Sequence, residues 1–412
     1  MVRGLEESGA AAYVIGSVPQ SEDMKKTKVR KVVLLITPSR EYTRGLLRGI
    51  AKYSRIQGLW AFYRPLDYRE PKGKERLLTL LKTWNPDGIL MREPHKIEDI
   101  IEMGVPTISC PYTRERIPGI TNIMTDHVGV GKMGAEHLLE CGFQQFAYCG
   151  FNDWWWSRKR GEVFGKTVAE AGYPTYFYPQ PHAKSKRTWD KELPIIADWL
   201  LTLPKPIGIM TCNDDRGEWV IEACKIAGLN VPDEVAILGV DNDQLICDLC
   251  APPLSSIVLN IEKAGYEAAA QLDRMMAGEK ATSRDINVRP IHVVVRQSTN
   301  VLAVDDASVA AAIRFIRQHS KTVIQVSNVV SAVSLSRRVL EKRFRTILGR
   351  SIHDEIRRTR VEQIIQMLAE TAMSISEIAQ ALGFSDVAHI SRYFRREEGM
   401  SPLAYRKRYL GQ

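Results

Sequence analysis

Short apolar runs alternate with stretches of helical periodicity over roughly the first three hundred residues of the chain. Six runs rich in aliphatic and β-branched residues are each followed by such a stretch: 31–39, 87–94, 105–111, 145–151, 207–214 and 235–242. A later run at 291–299 has no helical pattern after it. Alternation of strand and helix patterns at this spacing predicts parallel sheets covered by helices. An α/β fold is therefore expected for this part of the chain.

A different pattern occupies the C-terminal part, where one motif occurs twice. The segments 326–351 and 375–401 each contain a short amphipathic helix pattern, a turn and a longer basic helix pattern. Phe344 and Phe394 occupy matching positions in the two copies. The segment 352–370 between them has apolar residues at helical spacing and is predicted to be a joining helix. We interpret the repeat as two helix-turn-helix units in an all-α domain.

The turn of each unit is predicted from its residue types. Ser334 and Gly383 lie between the two helix patterns, where the helices cross closely and a small residue is needed. Ser336 and Ser385 follow as candidate N-cap residues of the second helices. Lys and Arg side chains on these second helices suit contacts with phosphates and guanine edges. Both second helices are therefore expected to bind DNA.

The net charge and its uneven distribution indicate that the chain binds an anionic partner. The chain has 412 residues and a formal net charge of +9. Residues 303–412 carry 18 Lys and Arg against 11 Asp and Glu, whereas the remainder is nearly neutral. A basic C-terminal region behind a nearly neutral front favours an anionic partner for that region, in agreement with the double-stranded DNA expected from the helix-turn-helix repeat. The length exceeds what one hydrophobic core usually serves, so two or three domains are expected.

The N-terminal residues 1–28 are small, polar and mixed, and they are predicted to be a disordered leader. Met24 is an alternative start. The basic residues and the apolar run VVLLI after Met24 mimic a signal peptide, but the run is too short and is predicted to be the first strand. No apolar run approaches the ~20 residues of a membrane-spanning helix, so no membrane partner is expected.

The seven cysteines predict a reduced, cytoplasmic protein. Their number is odd, and the one close pair is Cys247 and Cys250. Zinc-site spacing, a phosphate loop and a nucleophile elbow are all absent from the sequence. We therefore predict no metal, no cofactor and no enzymatic activity. Acid–base catalysis by carboxylates at strand ends is the alternative that composition leaves open.

Three consecutive tryptophans, Trp154 to Trp156, lie between the strand predicted to end at Phe151 and a helix predicted to begin near Arg158. Ligands of parallel sheets bind beyond the carboxyl ends of the strands. The same position after other strands holds the polar residues Arg40, Tyr42, Arg92, Glu93, Asn213, Asp214, Asp241 and Asn242. Indole faces beside carboxylates, amides and arginines suit a sugar.

We therefore expect Trp155 or a neighbour to contact a sugar, while the other indoles pack in the core. Two alternatives remain for the tryptophans. All three can pack without touching a ligand, because successive residues cannot all face one molecule. They can also form a stacking platform for unpaired nucleic-acid bases.

The front of the chain resembles the effector domain of LacI-type repressors, which are related to periplasmic sugar-binding proteins. The matching stretches are 125–150, 157–173, 211–242, 252–260 and 293–299. The resemblance implies two Rossmann-like lobes with an effector in the cleft between them. It also implies effector contacts at Arg160, Asn213 and Asp241, with Asp214 or Asp215 close by. LacI-type repressors carry a helix-turn-helix before the first lobe, and residues 1–28 are not expected to form one.

The C-terminal part resembles the AraC-type DNA-binding domain over residues 308–410, with its signature at 374–408. The resemblance implies a seven-helix domain, asymmetric binding to DNA and, usually, transcriptional activation. Base or phosphate contacts are implied for residues of both second helices. These residues are Arg337, Arg338, Lys342, Arg345, His389, Arg392 and Arg396.

The order of the two parts, with the sensor in front, resembles the bacterial xylose operon regulator family. Shared stretches include 197–214, 239–243 and 335–344. We accordingly expect a leader at 1–28, a two-lobed sugar-binding domain at 29–302 and a DNA-binding domain at 303–412. The resemblance implies a sugar-responsive transcription factor that activates genes for catabolism of xylose-type pentoses. It also implies that the protein is a homodimer and that RNA polymerase is one of its partners. The alternative is a DNA-binding regulator whose front domain only dimerises or binds a protein.

Overall fold

The computed structural model describes residues 29–58, 60–65, 73–93, 97–279, 285–300 and 306–410. The predicted leader at 1–28 lies outside these residues. The described strands are β1 (Lys31–Leu35), β2 (Ala61–Tyr63), β3 (Gly88–Arg92), β4 (Thr107–Cys110), β5 (Thr121–Thr125), β6 (Phe146–Cys149), β7 (Thr175–Phe177), β8 (Ile207–Thr211), β9 (Val235–Val240), β10 (Ser255–Leu259), β11 (Ile286–Val288) and β12 (Pro290–Val294).

The helices of the front part cover these strands. They are α1 (Glu41–Gln57), α2 (Gly73–Trp84), α3 (Glu98–Ile101), α4 (His127–Glu140), α5 (Trp155–Glu170), α6 (Trp189–Thr202), α7 (Asp214–Ala227), α8 (Gln244–Leu249) and α9 (Ile261–Met276). The C-terminal helices are α10 (Ala307–Gln318), α11 (Val326–Ser331), α12 (Arg337–Leu348), α13 (Ile352–Glu370), α14 (Ile375–Ala381), α15 (Val387–Glu398) and α16 (Pro402–Tyr405).

The strands form two six-stranded sheets, one in each of two lobes. The first lobe has the strand order β11-β5-β4-β3-β1-β2, and all its pairings are parallel. The second lobe has the order β12-β10-β9-β8-β6-β7, with an antiparallel pairing only between β10 and β12. All six residues of β9 are buried, as expected for a strand covered by helices on both faces. The predicted α/β architecture is confirmed.

The chain crosses between the lobes three times. It passes from β5 in the first lobe through α4 to β6 in the second, and it returns from β10 through α9 to β11. The third crossing joins β11 directly to β12. Each lobe is therefore built from two separate parts of the chain, and the carboxyl ends of the parallel strands face a cleft between the lobes.

Residues 306–410 form a C-terminal helical domain in which the described residues contain seven α-helices. The first unit comprises α11 and α12, and its core includes Leu340 and Phe344. The second unit comprises α14 and α15, and its core includes Ile390 and Phe394. The joining helix α13 has the bounds predicted from the sequence.

The turns and caps differ in part from the prediction. Gly383 adopts a left-handed backbone, with φ of 69°, whereas Ser334 does not. Ser336 caps α12, as predicted, by accepting a hydrogen bond from the Val339 N–H. The prediction for α15 is wrong, because its N-cap is Asp386 rather than Ser385. The Asp386 carboxylate accepts from the His389 N–H at 2.6 Å, and a negative charge suits the N-terminus of a helix.

The C-terminal helical domain packs directly on the second lobe. Ile291 of β12 belongs to the same hydrophobic core as Phe394. The Tyr405 hydroxyl donates a hydrogen bond to the Ile291 carbonyl at 3.3 Å. Arg358 of α13 forms an ion pair of 2.5 Å with Glu140, the last residue of α4. The contact therefore combines an apolar seam with an ion pair.

Candidate functional site

A cavity with about 580 Å³ of open space, including its mouth, lies between the two lobes. The lining residues come from both lobes and from the strand ends that face the cleft. They are Arg40, Tyr42, Arg92, Cys110, Pro111, Tyr112, Glu115, Ile123, Met124, Thr125, His127, Trp155, Trp156, Arg160, Asn213 and Asp241.

The cavity brings together six of the nine residues predicted to bind a ligand. Those six are Arg40, Tyr42, Trp155, Arg160, Asn213 and Asp241. The other three, Glu93, Asp214 and Asn242, are not part of the lining. Each of these three side chains is hydrogen-bonded to other protein groups instead.

The tryptophans divide between the cavity wall and the packing around it. Trp155 and Trp156 line the cavity, and Trp155 packs edge-on against the His127 ring at 4.9 Å between centroids. Trp154 packs on Tyr112 at 4.5 Å instead. The predicted helix start near Arg158 is wrong, because α5 begins at Trp155. The first helical turn thus aims two successive indoles at the cleft.

Asp241 carries the buried carboxylate of the cavity. It directly follows β9, and its φ of 104° is unusual for a residue other than glycine. Its Oδ1 is buried and has no hydrogen-bond partner among the described residues. Burial raises its pKa to about 6, although the nearby Arg160 acts to lower it. An unpaired carboxylate in this position is suited to accept hydrogen bonds from a ligand.

Arg160 lies beside Asp241 on the wall of the second lobe and is 3% exposed. Its guanidinium donates to the His127 Nδ1 at 3.2 Å and to the Cys212 carbonyl. Burial and the charge of Arg160 hold the pKa of His127 well below its usual value. His127 is therefore neutral at physiological pH. Its Nδ1 accepts from Arg160, so its other ring nitrogen carries the proton.

Arg92 and Glu93 end the same strand but point to different surroundings. Arg92 lines the cavity, with its guanidinium 4.3 Å from the centre of the Tyr112 ring. Glu93 accepts hydrogen bonds from the Tyr112 and Thr113 N–H groups at 2.8 and 2.7 Å. Burial acts to raise the pKa of Glu93, but hydrogen bonds from Thr113 and Tyr112 lower it overall. Glu93 thus positions the loop that carries Tyr112.

Asp214 and Asn242 support the wall behind Asp241. The carboxylate of Asp214 accepts from the Ser256 hydroxyl at 2.5 Å and from the Asp243 N–H at 2.6 Å. Burial, followed by the charge of Asp241, raises its pKa well above the usual value. The Asn242 amide oxygen accepts from Arg296 at 2.9 Å. Both predicted residues are therefore occupied by other protein groups.

Ion pairs join the lobes at the mouth of the cavity. Arg40 of the first lobe lies 3.0 Å from Asp215 of the second. Arg44 lies 2.5 Å from Asp243, which also accepts from the Glu41 N–H at 3.2 Å. The Asn213 side chain on the opposite wall donates to Asp215 at 2.7 Å. These contacts hold the two lobes together around the cavity.

The predicted DNA-contacting residues lie on the exposed faces of the second helices of the two units. All of them are exposed: Arg337, Arg338, Lys342 and Arg345 on α12, and His389, Arg392 and Arg396 on α15. Leu340 and Ile390 point the other way, into the cores. Each unit therefore presents a basic helix face to solvent, as a helix that enters the major groove requires.

The helix α4 links the cavity to the C-terminal helical domain. Its first residue, His127, lines the cavity, and its last residue, Glu140, pairs with Arg358 of α13. Arg358 also binds Glu355 and Glu362 of its own helix, at 3.1 and 2.6 Å. One helix thus contacts both the cavity and the C-terminal helical domain.

Two family models match the chain. A periplasmic binding protein-like domain matches residues 135–299, and a helix-turn-helix domain matches residues 329–408. The first match lies in the part of the chain that contains the cavity. The second match includes α12 and α15, the second helices of the two units, which are called the recognition helices below. No described helix is both long and apolar enough to cross a membrane.

Curated relatives match almost the whole chain. The xylose operon regulatory protein of Escherichia coli K12 is 29% identical over 389 residues, which cover 92% of this chain and 97% of that protein. The protein of the same description from Haemophilus influenzae is 28% identical over 387 residues, which cover 91% of this chain and 98% of its own length.

Solved structures agree with these relatives. The structure of a xylose-binding transcription activator, XylR, matches with a TM-score of 0.59 and 27% identity, covering 93% of this chain and 99% of that one. A periplasmic binding protein/LacI transcriptional regulator from Alkaliphilus metalliredigens, complexed with D-xylulofuranose, matches 65% of this chain and 98% of its own, with a TM-score of 0.55 and 19% identity. This second match supports the fold of the two lobes. The chain thus has a periplasmic binding protein-like domain in front of a C-terminal helix-turn-helix domain, and it is similar to the xylose operon regulators over almost its whole length.

Proposed function

We propose that the chain is a sugar-responsive transcription regulator that binds double-stranded DNA. The observation that carries this proposal is the cavity between the lobes. Its Asp241 Oδ1 and the indole N–H groups of Trp155 and Trp156 are buried and have no hydrogen-bond partner among the described residues. Buried polar groups are normally paired, so a polar ligand in the cavity satisfies all three. Indole walls beside a carboxylate and an arginine suit a monosaccharide.

The names of the relatives support a pentose of the xylose type as the first candidate effector. Both curated relatives are xylose operon regulators, and the matching solved structure is of a xylose-binding activator. They equally support activation of sugar-catabolism genes as the output. An activator bound beside a promoter would contact RNA polymerase.

Two basic helices in one chain suit two successive major grooves on one face of a duplex. The joining helix α13 holds them in a fixed arrangement, because its residues contribute to the core of each unit. A homodimer would place four such helices on two half-sites. Dimerisation of the sensor domains is therefore part of the proposal.

Coupling between sugar and DNA would pass through α4. A helix of its fourteen residues is roughly 20 Å long and moves as a unit. A ligand that contacts His127 or Arg160 shifts the N-terminal end of α4, and the shift reaches Arg358 through Glu140. Burial raises the pKa of Glu140, while Arg358 acts to lower it. Typical coupling energies of ~1–3 kcal/mol change affinity by 5- to 150-fold.

Thermal unfolding with a sugar panel tests the proposal. A ligand at 100 times its dissociation constant stabilises the folded state by ~2.7 kcal/mol. We expect at least one monosaccharide or sugar acid to raise the melting temperature of the full chain and to change its affinity for DNA. If no sugar stabilises the protein while DNA still binds, the front domain only dimerises or binds a protein partner.

A further inference from the structure

The lining of the cavity contains three arginines and two carboxylates, those of Asp241 and Glu115. Arg40 is already paired with Asp215 at 3.0 Å. Arg160 has the buried carboxylate of Asp241 on the same wall. Arg92 has no carboxylate oxygen within 4.0 Å among the described residues. Arg92 therefore makes no direct ion pair within the described part of the chain, although its charge acts on the Asp241 carboxylate.

The surroundings of Arg92 hold its guanidinium ready for a planar partner. The guanidinium lies 4.3 Å from the centre of the Tyr112 ring and 5.6 Å from that of Tyr42. Glu93, its sequence neighbour, is occupied by the Tyr112–Thr113 backbone and by Arg114 at 2.7 Å. Glu115, the other carboxylate in the lining, is exposed to solvent and makes no ion pair with Arg92. An arginine held by aromatic rings is suited to bind a carboxylate through two parallel hydrogen bonds.

The unpaired hydrogen-bonding groups of the cavity are also mostly donors. The indole N–H groups of Trp155 and Trp156 are buried without partners, and His127 has a protonated ring nitrogen beyond its bond with Arg160. Against these donors stands one unpaired buried acceptor of the lining, the Asp241 Oδ1. A hydroxyl group offers one donor for its acceptors, whereas a carboxylate only accepts. The donor excess therefore matches a ligand that carries a carboxylate.

We propose that the effector of this cavity is a sugar acid, a monosaccharide-sized polyol with a carboxylate that Arg92 binds. The hydroxyls of the ligand then lie toward Asp241 on the second lobe, and its carboxylate lies toward Arg92 on the first. Ligand binding would bridge the two lobes by charge as well as by hydrogen bonds. This inference rests on the proposed function, because it specifies the chemical class of the effector.

Calorimetric titration of the full chain with matched neutral and acidic sugars tests the inference. The pairs are D-xylose with D-xylonate, D-glucose with D-glucuronate, and D-galactose with D-galacturonate. We expect the acid of at least one pair to bind about tenfold tighter or more than its neutral partner, as a charge-assisted bidentate contact implies. The preference should weaken as salt is added, although less than for an exposed pair.

Variants identify the group responsible. Arg92→Gln should reduce the preference for the acid to about threefold or less, and Arg92→Lys should retain part of it, because it keeps the charge but loses the two-point contact. Lys166→Gln is the matched control, since it removes one positive charge from an exposed position of α5. It should leave the preference unchanged. If Arg92→Gln fails to fold, the acid preference of Arg92→Lys and its dependence on salt still test whether Arg92 binds the carboxylate.

The outcomes separate this inference from the proposed function. If neutral sugars bind as tightly as their acids or more tightly, the sugar-acid inference is overturned and the regulator proposal stands. The inference is also overturned if the acid preference survives in Arg92→Gln. If none of the six compounds binds, both the inference and the proposal of a sugar effector are contradicted.

Discussion

The cavity between the lobes and the recognition helices hold their functional side chains in opposite ways. Asp241 and Arg160 are buried in the wall of the second lobe, and the pKa of Asp241 is raised to about 6 by burial. Arg392 and Lys342 lie on exposed helix faces and make no ion pair with the described residues. The cavity groups are thus desolvated before any ligand arrives, whereas the helix groups remain hydrated until DNA displaces the water.

This difference decides what a substitution should do. Removing a buried group changes both ligand affinity and folding stability, because the group already interacts with the folded protein. Removing an exposed cation changes DNA affinity with little effect on folding, because water solvates it in the free protein.

The largest effect is expected at Asp241. Asp241→Ala should weaken effector binding by ~3 kcal/mol or more, since ligand hydroxyls lose their buried acceptor. The variant should not melt below wild type at pH 7.5. Burial raises the folded pKa from 3.8 to about 6, so the ionised carboxylate destabilises the folded state above pH 6, and this cost disappears toward pH 4.

Titration calorimetry and a melting series between pH 4 and 8 measure both parts of this prediction. Asp233→Ala, at an exposed position of the same lobe, is the control and should change neither quantity. Wild-type effector affinity in Asp241→Ala would show that this carboxylate is not part of the ligand site.

The recognition helices should show the second largest effect. Arg392→Ala should weaken specific DNA binding by ~1–3 kcal/mol if its side chain reaches a base edge. Lys342, at the matching position of the first unit, should contribute less if it touches only phosphate. Its loss would weaken binding on all sequences alike and make the salt dependence shallower.

Fluorescence anisotropy with specific and scrambled DNA at several salt concentrations measures these effects. Lys321→Ala removes an exposed charge outside the recognition helices and serves as the control. Unchanged binding by Arg392→Ala on both DNAs at every salt concentration would remove α15 from the interface. If Arg392→Ala or Lys342→Ala lowered the melting temperature, the expected difference between exposed helix residues and buried cavity residues would be contradicted.

A smaller effect is expected at the junction of α4 and α13. Glu140→Gln should leave effector affinity and effector-free DNA affinity within about threefold of wild type, while it reduces the effector-induced change by ~1 kcal/mol or more. Glu136→Gln is the control, because Glu136 lies on the same helix and its exposed carboxylate is paired with Lys132. This variant should retain the full effector response. A full response in Glu140→Gln would exclude this ion pair as the coupling element.

The smallest effect should separate neighbouring tryptophans. Trp155→Phe removes an unpaired indole N–H of the cavity and should lower effector affinity by ~1 kcal/mol. Trp154→Phe changes a ring that packs on Tyr112 and should lower the melting temperature more than the effector affinity. Titration followed by tryptophan fluorescence measures both. Equal loss of stability without any change in affinity would make both of these indoles packing residues.

Much of the architecture follows from patterns that the sequence shows directly. The strands β1, β3, β4, β6, β8, β9 and β12 lie in apolar runs that the sequence shows, and Phe344 and Phe394 occupy matching positions in the C-terminal repeat. The strands β5 and β10 contain polar residues and were not predicted. The short strands β2, β7 and β11 were not predicted either. Each has three residues, which is too few to show a period, and their pairing depends on neighbours that are distant in sequence.

The sequence predicted the location of the cavity at the strand ends better than it predicted which side chains line the cavity. Arg92 and Glu93 have equal standing in the sequence, yet only Arg92 lines the cavity, because successive residues of an extended strand point to opposite faces. His127 was missed because it follows β5, a strand absent from the prediction. Tyr112 lies on a loop whose course is set by hydrogen bonds to Glu93, and no local pattern reveals such a contact.

The affinity of the full chain for operator DNA, measured with and without a saturating effector, tests the central claim most directly. The operator is first selected from random duplexes, and the effector is the compound that stabilises the protein most. The account predicts a 5- to 150-fold change in DNA affinity, as expected for a coupling of ~1–3 kcal/mol, and the same change in effector affinity when DNA is bound. A DNA affinity that stays constant while the effector fills the cavity would contradict it.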